Sequence, residues 1–275
     1  MRSRIESKIL TLSLGLLMLG MGKGNPCFGH STDNRVFIER ILQATNLQFA
    51  KDSRPTAFIF QCAVGDSIRI ECADCQTRIK NADGKGKVNL ALTSSLEKRV
   101  VQVEQFGKWL PVISDNGKLG LIFERNGNGE RMLSVNALTV TRKTRSALAE
   151  IPGKPLGLLE VNNLLLDGYE KAMEGKSPSF FFKLRSDDQV KLDLVGIDRS
   201  MTDGVGCYFF RVGEEFAKKP IAIGSSIPVS GGTNNHDVYG FAIAHNKDVK
   251  QGQLYHLSIT RTPASTPNTS SARGK

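Results

Sequence analysis

One pattern is written twice in this chain. "FIFQCAVGDSIRIEC" (Phe58 to Cys72) alternates apolar and polar residues on both sides of a Gly-Asp turn, and "FFFKLRSDDQVKLDL" (Phe180 to Leu194) repeats the arrangement. In the first copy Phe58, Phe60 and Cys62 share one strand face, and Ile68, Ile70 and Cys72 share a face of the next. The equivalents in the second are Phe180, Phe182, Leu184, Val190, Leu192 and Leu194. Alternation of this kind marks a half-buried β-strand, and any two such hairpins share it. Order and spacing carry more. "LPV" (Leu110 to Val112) is answered by "IPV" (Ile227 to Val229), "GLIFERN" (Gly120 to Asn126) by "GFAIAHN" (Gly240 to Asn246), and "ALTVTR" (Ala137 to Arg142) by "HLSITR" (His256 to Arg261). The four landmarks recur in one order at offsets of 122, 117, 120 and 119 residues, as small insertions in loops between fixed strands allow. One all-β unit is present twice, as tandem domains and not as a solenoid.

Within each unit, short apolar runs such as "KVNLAL", "WLPVIS" and "CYFFRV" are broken by Gly, Asn, Asp and Pro. Strands of that kind show one apolar face that a second sheet must cover, so the expected fold is two tandem antiparallel β-sandwiches. Pro111 and Pro228 belong at an edge or a bulge, because proline cannot donate to a central ladder. Helix is scarce: "DNRVFIERILQA" (Asp33 to Ala44) reads as amphipathic and capped by Thr32 or Asp33, and "GYEKAMEGK" as a short helical turn. The expected organisation is a signal peptide (1–29), a first sandwich (30–142), a linker (143–157), a second sandwich (158–262) and a polar tail (263–275). Asn268-Thr269-Ser270 in that tail matches a glycosylation acceptor, read as accidental.

The N-terminus "MRSRIESK" followed by "ILTLSLGLLMLGMG" has the polarity of a secretory signal, with an apolar core too short for a comfortable membrane span. The expected location is therefore secreted or periplasmic, with no stable membrane span after cleavage. Pro26 directly before Cys27 argues against lipidation there. The formal charge of +10 falls to +7 when Arg2, Arg4, Lys8 and Lys23 leave together with Glu6. Such a field favours anionic cell-wall polymers, lipid head groups or nucleic acid without specifying one. The runs "RKTR" (Arg142 to Arg145) and "FAKKP" (Phe216 to Pro220) are short, lack interleaved aromatics and read as solvated charge, so no nucleic-acid partner is expected.

An F-x-F strand, a Gly or Asp turn, an I-x-I strand and a final Gly252, Gln253, Tyr255, Leu257, Ile259 strand after Tyr239 together resemble the bacterial pre-peptidase C-terminal domain. The resemblance implies a jelly-roll-like β-sandwich of the kind found as accessory domains on secreted hydrolases and in small periplasmic proteins that bind and inhibit lysozymes. The family's D-x-D-L strand is missing from both copies, and no peptidase domain accompanies them.

Chemical signatures are few. "CADC" (Cys72 to Cys75) has a zinc-compatible gap, but a site needs two more ligands and no second C-x-x-C or H-x-x-x-H exists. No metal or cofactor is expected. Cys62, Cys72 and Cys75 are instead disulfide candidates, Cys62 and Cys72 standing where the other copy has Leu184 and Leu194. His236 and His245 flank one strand and would lie about 25 Å apart, too far to share a ligand. G-x-S-x-G is missing, and Asp187 with Asp188 reads as turn chemistry matching Gly65 and Asp66. By alternation Phe181 and Phe209 are the odd members of their aromatic runs, placed either on a contact surface or in the junction between the sandwiches. Trp109, the single tryptophan, either anchors a partner or caps the first core. The function expected is an exported non-catalytic binding protein for a protein or a cell-envelope glycan, inhibitor-like in one form. A hydrolase with a site at the domain junction and an envelope or surface assembly component are the alternatives.

Overall fold

The computed structural model describes residues 36–49, 54–72, 88–94, 98–113, 117–125, 133–145, 150–166, 177–197, 204–214, 220–230, 237–245 and 253–264. The signal peptide, the turn at 168–176, Asn268 and residues 265–275 of the tail lie outside them. In the first half the strands are β1 (Phe37–Phe49), β2 (Thr56–Gln61), β3 (Ser67–Glu71), β4 (Val88–Thr93), β5 (Lys98–Val101), β6 (Trp109–Pro111), β7 (Lys118–Arg125) and β8 (Leu133–Thr144). In the second they are β9 (Leu156–Leu166), β10 (Ser179–Leu184), β11 (Gln189–Gly196), β12 (Val205–Arg211), β13 (Ser226–Pro228), β14 (Asp237–His245) and β15 (Gln253–Thr262). Among the described residues the only helix is the 3-10 turn Val103–Gln105.

All pairings are antiparallel. In the first half β1-β8-β3-β6 lie on one layer and β2-β7-β4-β5 on the other, and in the second β9-β15-β11-β13 answer the first group and β10-β14-β12 the second. Two four-strand layers crossed in this order make a jelly roll. The place of β5 in the second half is held by a lone bridge between Cys207 and Ile221. Pro111 and Pro228 fall on β6 and β13, each the terminal strand of its sheet, where the missing N–H costs no ladder bond and blunts the edge.

The two sandwiches expected at 30–142 and 158–262 do not stand apart, and β8 and β9 both reach into the stretch expected as linker. β1 pairs with β10, and β2 with β9, so each half's first strand joins the other's second and the layers run on as one seven-stranded and one eight-stranded sheet. The two seams are alike residue for residue: Ala44 opposes Phe180 in one and Val161 opposes Phe58 in the other. Even their irregularities match. Asn46 and Asn163 both hold positive φ, and the side-chain amide of Asn46 donates to Ser177 O (3.4 Å) as that of Asn163 donates to Pro55 O (2.7 Å). One chain thus builds what a two-fold dimer would build with a self-complementary interface. A single apolar cluster drawn from both halves fills the space between the sheets.

The helix expected at 33–44 is strand from Phe37 onward. Its sequence misleads because a bulge between Arg40 and Leu42 breaks the period of two, leaving Phe37, Ile38, Ile41 and Leu42 at spacings that resemble a helical face. Pairing with β8 along most of its length overrides local propensity.

"RKTR" is likewise not all solvated. Arg142 is 1% exposed, because the alternation that buries Leu138 and Val140 also turns it inward. Its guanidinium meets Glu39, donates to Gln61 O (3.2 Å) and lies 3.7 Å from Asp66, itself 2% exposed. Arg261 repeats the arrangement with Glu150 and with Asp188 at 3.6 Å. Each Asp also ties its own turn: Asp66 accepts from Ala63 N–H (2.7 Å) and Asp188 from Arg185 N–H (3.1 Å). Their carbonyls then take the N–H groups of Val112 and Val229, both at 2.8 Å, reaching the edge strands. Gly65 and Asp187, one residue earlier, share the positive φ the turn demands.

Two outcomes follow. Because the seams and core are shared, unfolding followed by Trp109 fluorescence, which reports the first half alone, will coincide with unfolding followed by far-UV circular dichroism; separated midpoints would mean independent halves. Arg142→Met, which strands Asp66 in the interior, will cost about 3–5 kcal/mol in denaturant unfolding, the cost of removing one partner of a buried pair.

Candidate functional site

In a pleated strand neighbours point to opposite faces, and residues directly opposed across a ladder share a face. Phe180 and Phe182 on β10 point inward and are buried, so Phe181 points outward, opposite Gln43 on one side and Gly240 on the other. Neither candidate ring fills the junction. There the inward positions are Ala44, Phe58, Val161 and Phe180, all fully buried. Phe209 on β12 faces the interior, opposite Phe241, stacking on Tyr239 (centroids 5.3 Å) and packing on Phe241 (4.8 Å). The outward residues of β12 are its neighbours Tyr208 and Phe210, which sequence reasoning passed over.

Phe181, Tyr208 and Phe210 form a half-buried aromatic group on the outer face of the seven-stranded sheet. Phe210 lies across Gly240, where an added Cβ would fall 2.4 Å from the ring, and meets Phe181 edge-on at 6.1 Å. Tyr208 bends back over Gly206 in the same way, at 3.1 Å. A ring laid over a strand glycine covers backbone that would otherwise meet water. The duplicate shows that the fold itself does not require rings there. At the matching outward positions the first half has Ile59, Ala91 and Thr93, and Thr93 alone covers the equivalent Gly120.

At the other end of the same face is Trp109 on β6, half-buried, with Arg69 at 5.2 Å and Lys143 at 5.9 Å from its ring as cation–π partners. The second half has Ser226, Lys191 and Thr262 at these positions. Between the two aromatic ends the register aligns Phe210, Gly240, Phe181, Gln43, Thr139 and Glu71 in one lateral row, with Arg40, Thr141, Arg69 and Trp109 in the adjacent row. From β6 to β12 is six strand spacings, about 29 Å.

Charge separates the two outer faces. On the eight-stranded sheet the outward charges pair off as Lys98 with Glu124, Lys118 with Glu160 (3.4 Å) and Lys191 with Asp193 (2.9 Å), while His256 Nδ1 is hydrogen-bonded to Asn162 Oδ1 at 2.6 Å. On the seven-stranded sheet the described outward strand positions hold Arg40, Arg69, Lys143 and Lys183 against Glu71 alone, which binds Arg69 Nε at 3.1 Å.

Among the disulfide candidates, Cys62 is a free buried thiol, as is Cys207; burial pushes both up to about 12, helped at Cys62 by the nearby Asp66 charge. Cys72 is disulfide-bonded to a partner outside the described residues, where Cys75 also lies. No group of three His, Cys, Asp or Glu among the described residues is placed to hold a metal ion. A shallow depression open to solvent, lined by Leu92, Thr93, Arg99, Pro111 and Ile113, encloses no room for a small ligand. The signal that would have found the buried Arg142 and Arg261 is their identical place in "ALTVTR" and "HLSITR", matched by Asp66 and Asp188.

If Phe210 owes its flat pose to the missing side chain at 240, Gly240→Ala will cost about 1 kcal/mol by crowding the ring, and much less in a Phe210→Thr background. A denaturant double-mutant cycle measures the difference, and additivity would show that the two positions are uncoupled.

No family model matches the chain, and no curated protein matches it. Among solved structures, "Crystal Structure of the STIV MCP" is similar at 8% sequence identity over 88% of this chain and 96% of that one, with a TM-score of 0.18.

Proposed function

We propose that this chain is an exported, non-catalytic binding protein that holds a cell-envelope glycan against the outer face of its seven-stranded sheet. The observation that carries the reading is the difference between the halves: where the first half makes the same architecture with Ile59, Ala91 and Thr93, the second places Phe181, Tyr208 and Phe210. Rings that the fold does not need, held flat and half-exposed on a sheet, offer apolar faces to the C–H faces of sugars. Trp109 supplies a second such face, and Gln43 and Thr139 supply donors and acceptors between them for hydroxyl groups. The basic N-terminus with its short apolar run supports export, and the disulfide at Cys72 fits an oxidising compartment. Periplasm or exterior is the location that gives access to such a ligand.

The test uses a substitution set already tolerated by the fold. Phe181→Ile, Tyr208→Ala and Phe210→Thr install the first half's residues in the second. In sedimentation with purified cell-wall polysaccharide, the parent protein will be retained and the triple variant will lose at least tenfold in affinity with little change in stability, since two or three stacking rings at about 1 kcal/mol each exceed the 1.4 kcal/mol of one decade. Retention unchanged by the substitutions, or no retention of the parent, would reject the reading.

A further inference from the structure

The charge on this face narrows the ligand, an inference that rests on the preceding reading. We infer that the glycan is a polyuronate: a chain of sugar rings bearing a carboxylate on each, laid across the strands from Trp109 to Phe210.

Two observations meet here. The outward charges of the eight-stranded sheet cancel in pairs, whereas those of the seven-stranded sheet leave Arg40, Arg69, Lys143 and Lys183 against one acid. Lys143 and Lys183 are exposed and Arg69 is partly so, all available to an anion arriving from solvent. A neutral glycan offers these cations hydroxyl acceptors but no counter-charge. The aromatic ends then decide which polyanion fits. Ring stacking requires flat C–H faces at intervals along the ligand, which an acyclic polyol phosphate lacks and a pyranose backbone supplies. Guanidinium groups at Arg40 and Arg69 match a planar carboxylate with two parallel N–H donors. Both cations belong to the lateral row that ends at Trp109, next to the row that ends at Phe210, so one extended chain crossing from one row to the other meets rings and charges together.

Three probes separate charge from ring. Polygalacturonate carries both, its fully methyl-esterified form keeps the rings without the charge, and inorganic polyphosphate keeps the charge without the rings. Affinity electrophoresis of the full mature chain will show retardation by polygalacturonate at least tenfold stronger than by either of the others, weakening as salt rises from 50 to 300 mM. Arg69→Gln with Lys143→Gln will reduce polygalacturonate retention about tenfold and that of the methyl ester by much less. Equal retention by polygalacturonate and its ester overturns the carboxylate inference while leaving the glycan reading standing. Retention by polyphosphate alone overturns both, as does retention by none of the three. Loss of polygalacturonate retention in the triple aromatic variant, with the Arg69/Lys143 variant unaffected, keeps the face and rejects the charge.

Discussion

A strand at the edge of a sheet carries a row of backbone N–H and C=O groups that must find partners or water, and the whole molecule is arranged around how four such strands meet. In each half the first and second strands would be edges of their layers. β1 turns to β10 and β2 to β9, so both open edges of one half are closed by the other. The closure sits at the middle of the molecule with fully buried side chains behind it. Sequence that makes one good seam makes both, because the two are copies of one contact. What remains open lies at the four outer ends of the sheets, β6, β12, β13 and β5, of which the short β6 and β13 carry a proline each.

Duplication explains how far the sequence was legible. Strand pairs, turns and edge prolines recur in register, so each was read twice and errors had to coincide to survive. The places that escaped reading are those where one residue changes phase or leaves its expected solvent. Ile41 is the extra residue of a bulge, and it converts a strand into an apparent helical face. Arg142 and Arg261 are long cations in an interior that ordinarily excludes them, admitted because Asp66 and Asp188 are buried at the same end. The seams were not legible at all. Ala44 opposite Phe180 and Val161 opposite Phe58 are ordinary apolar residues, and nothing in their types says that the partner strand lies in the other half.

The inverted assignment of Phe209 and Phe210 has a related cause. In "CYFFRV" the one charged member, Arg211, shares its face with Cys207 and Phe209 and so sets the phase the wrong way: at the strand end it meets Asp237 and Glu214 although the rest of that face points inward. Only the ladder to β14 settles it, by placing Phe209 opposite the buried Phe241 and Phe210 opposite Gly240. The same small glycine has a counterpart in Gly120, and what differs between the halves is the residue laid over it: a threonine in one, a phenyl ring in the other.

That contrast shows where functional information resides in a duplicated sandwich. Inward positions are held by packing against the opposite sheet, and seam positions by a contact that must work in both orientations. A change at either is felt twice. Outward positions answer to neither constraint, so a half can diverge there without disturbing the fold. The eight-stranded sheet used that freedom to pair its charges. The seven-stranded sheet did so only at Arg69 and Glu71: it gathered three rings at one end, a tryptophan between two cations at the other, and among the described outward positions carries more positive than negative charge. Rings half in water carry a hydration cost that Ile59, Ala91 and Thr93 lessen at the matching positions of the first half, and that uneven cost between two copies of one architecture is what the proposed binding reading rests on.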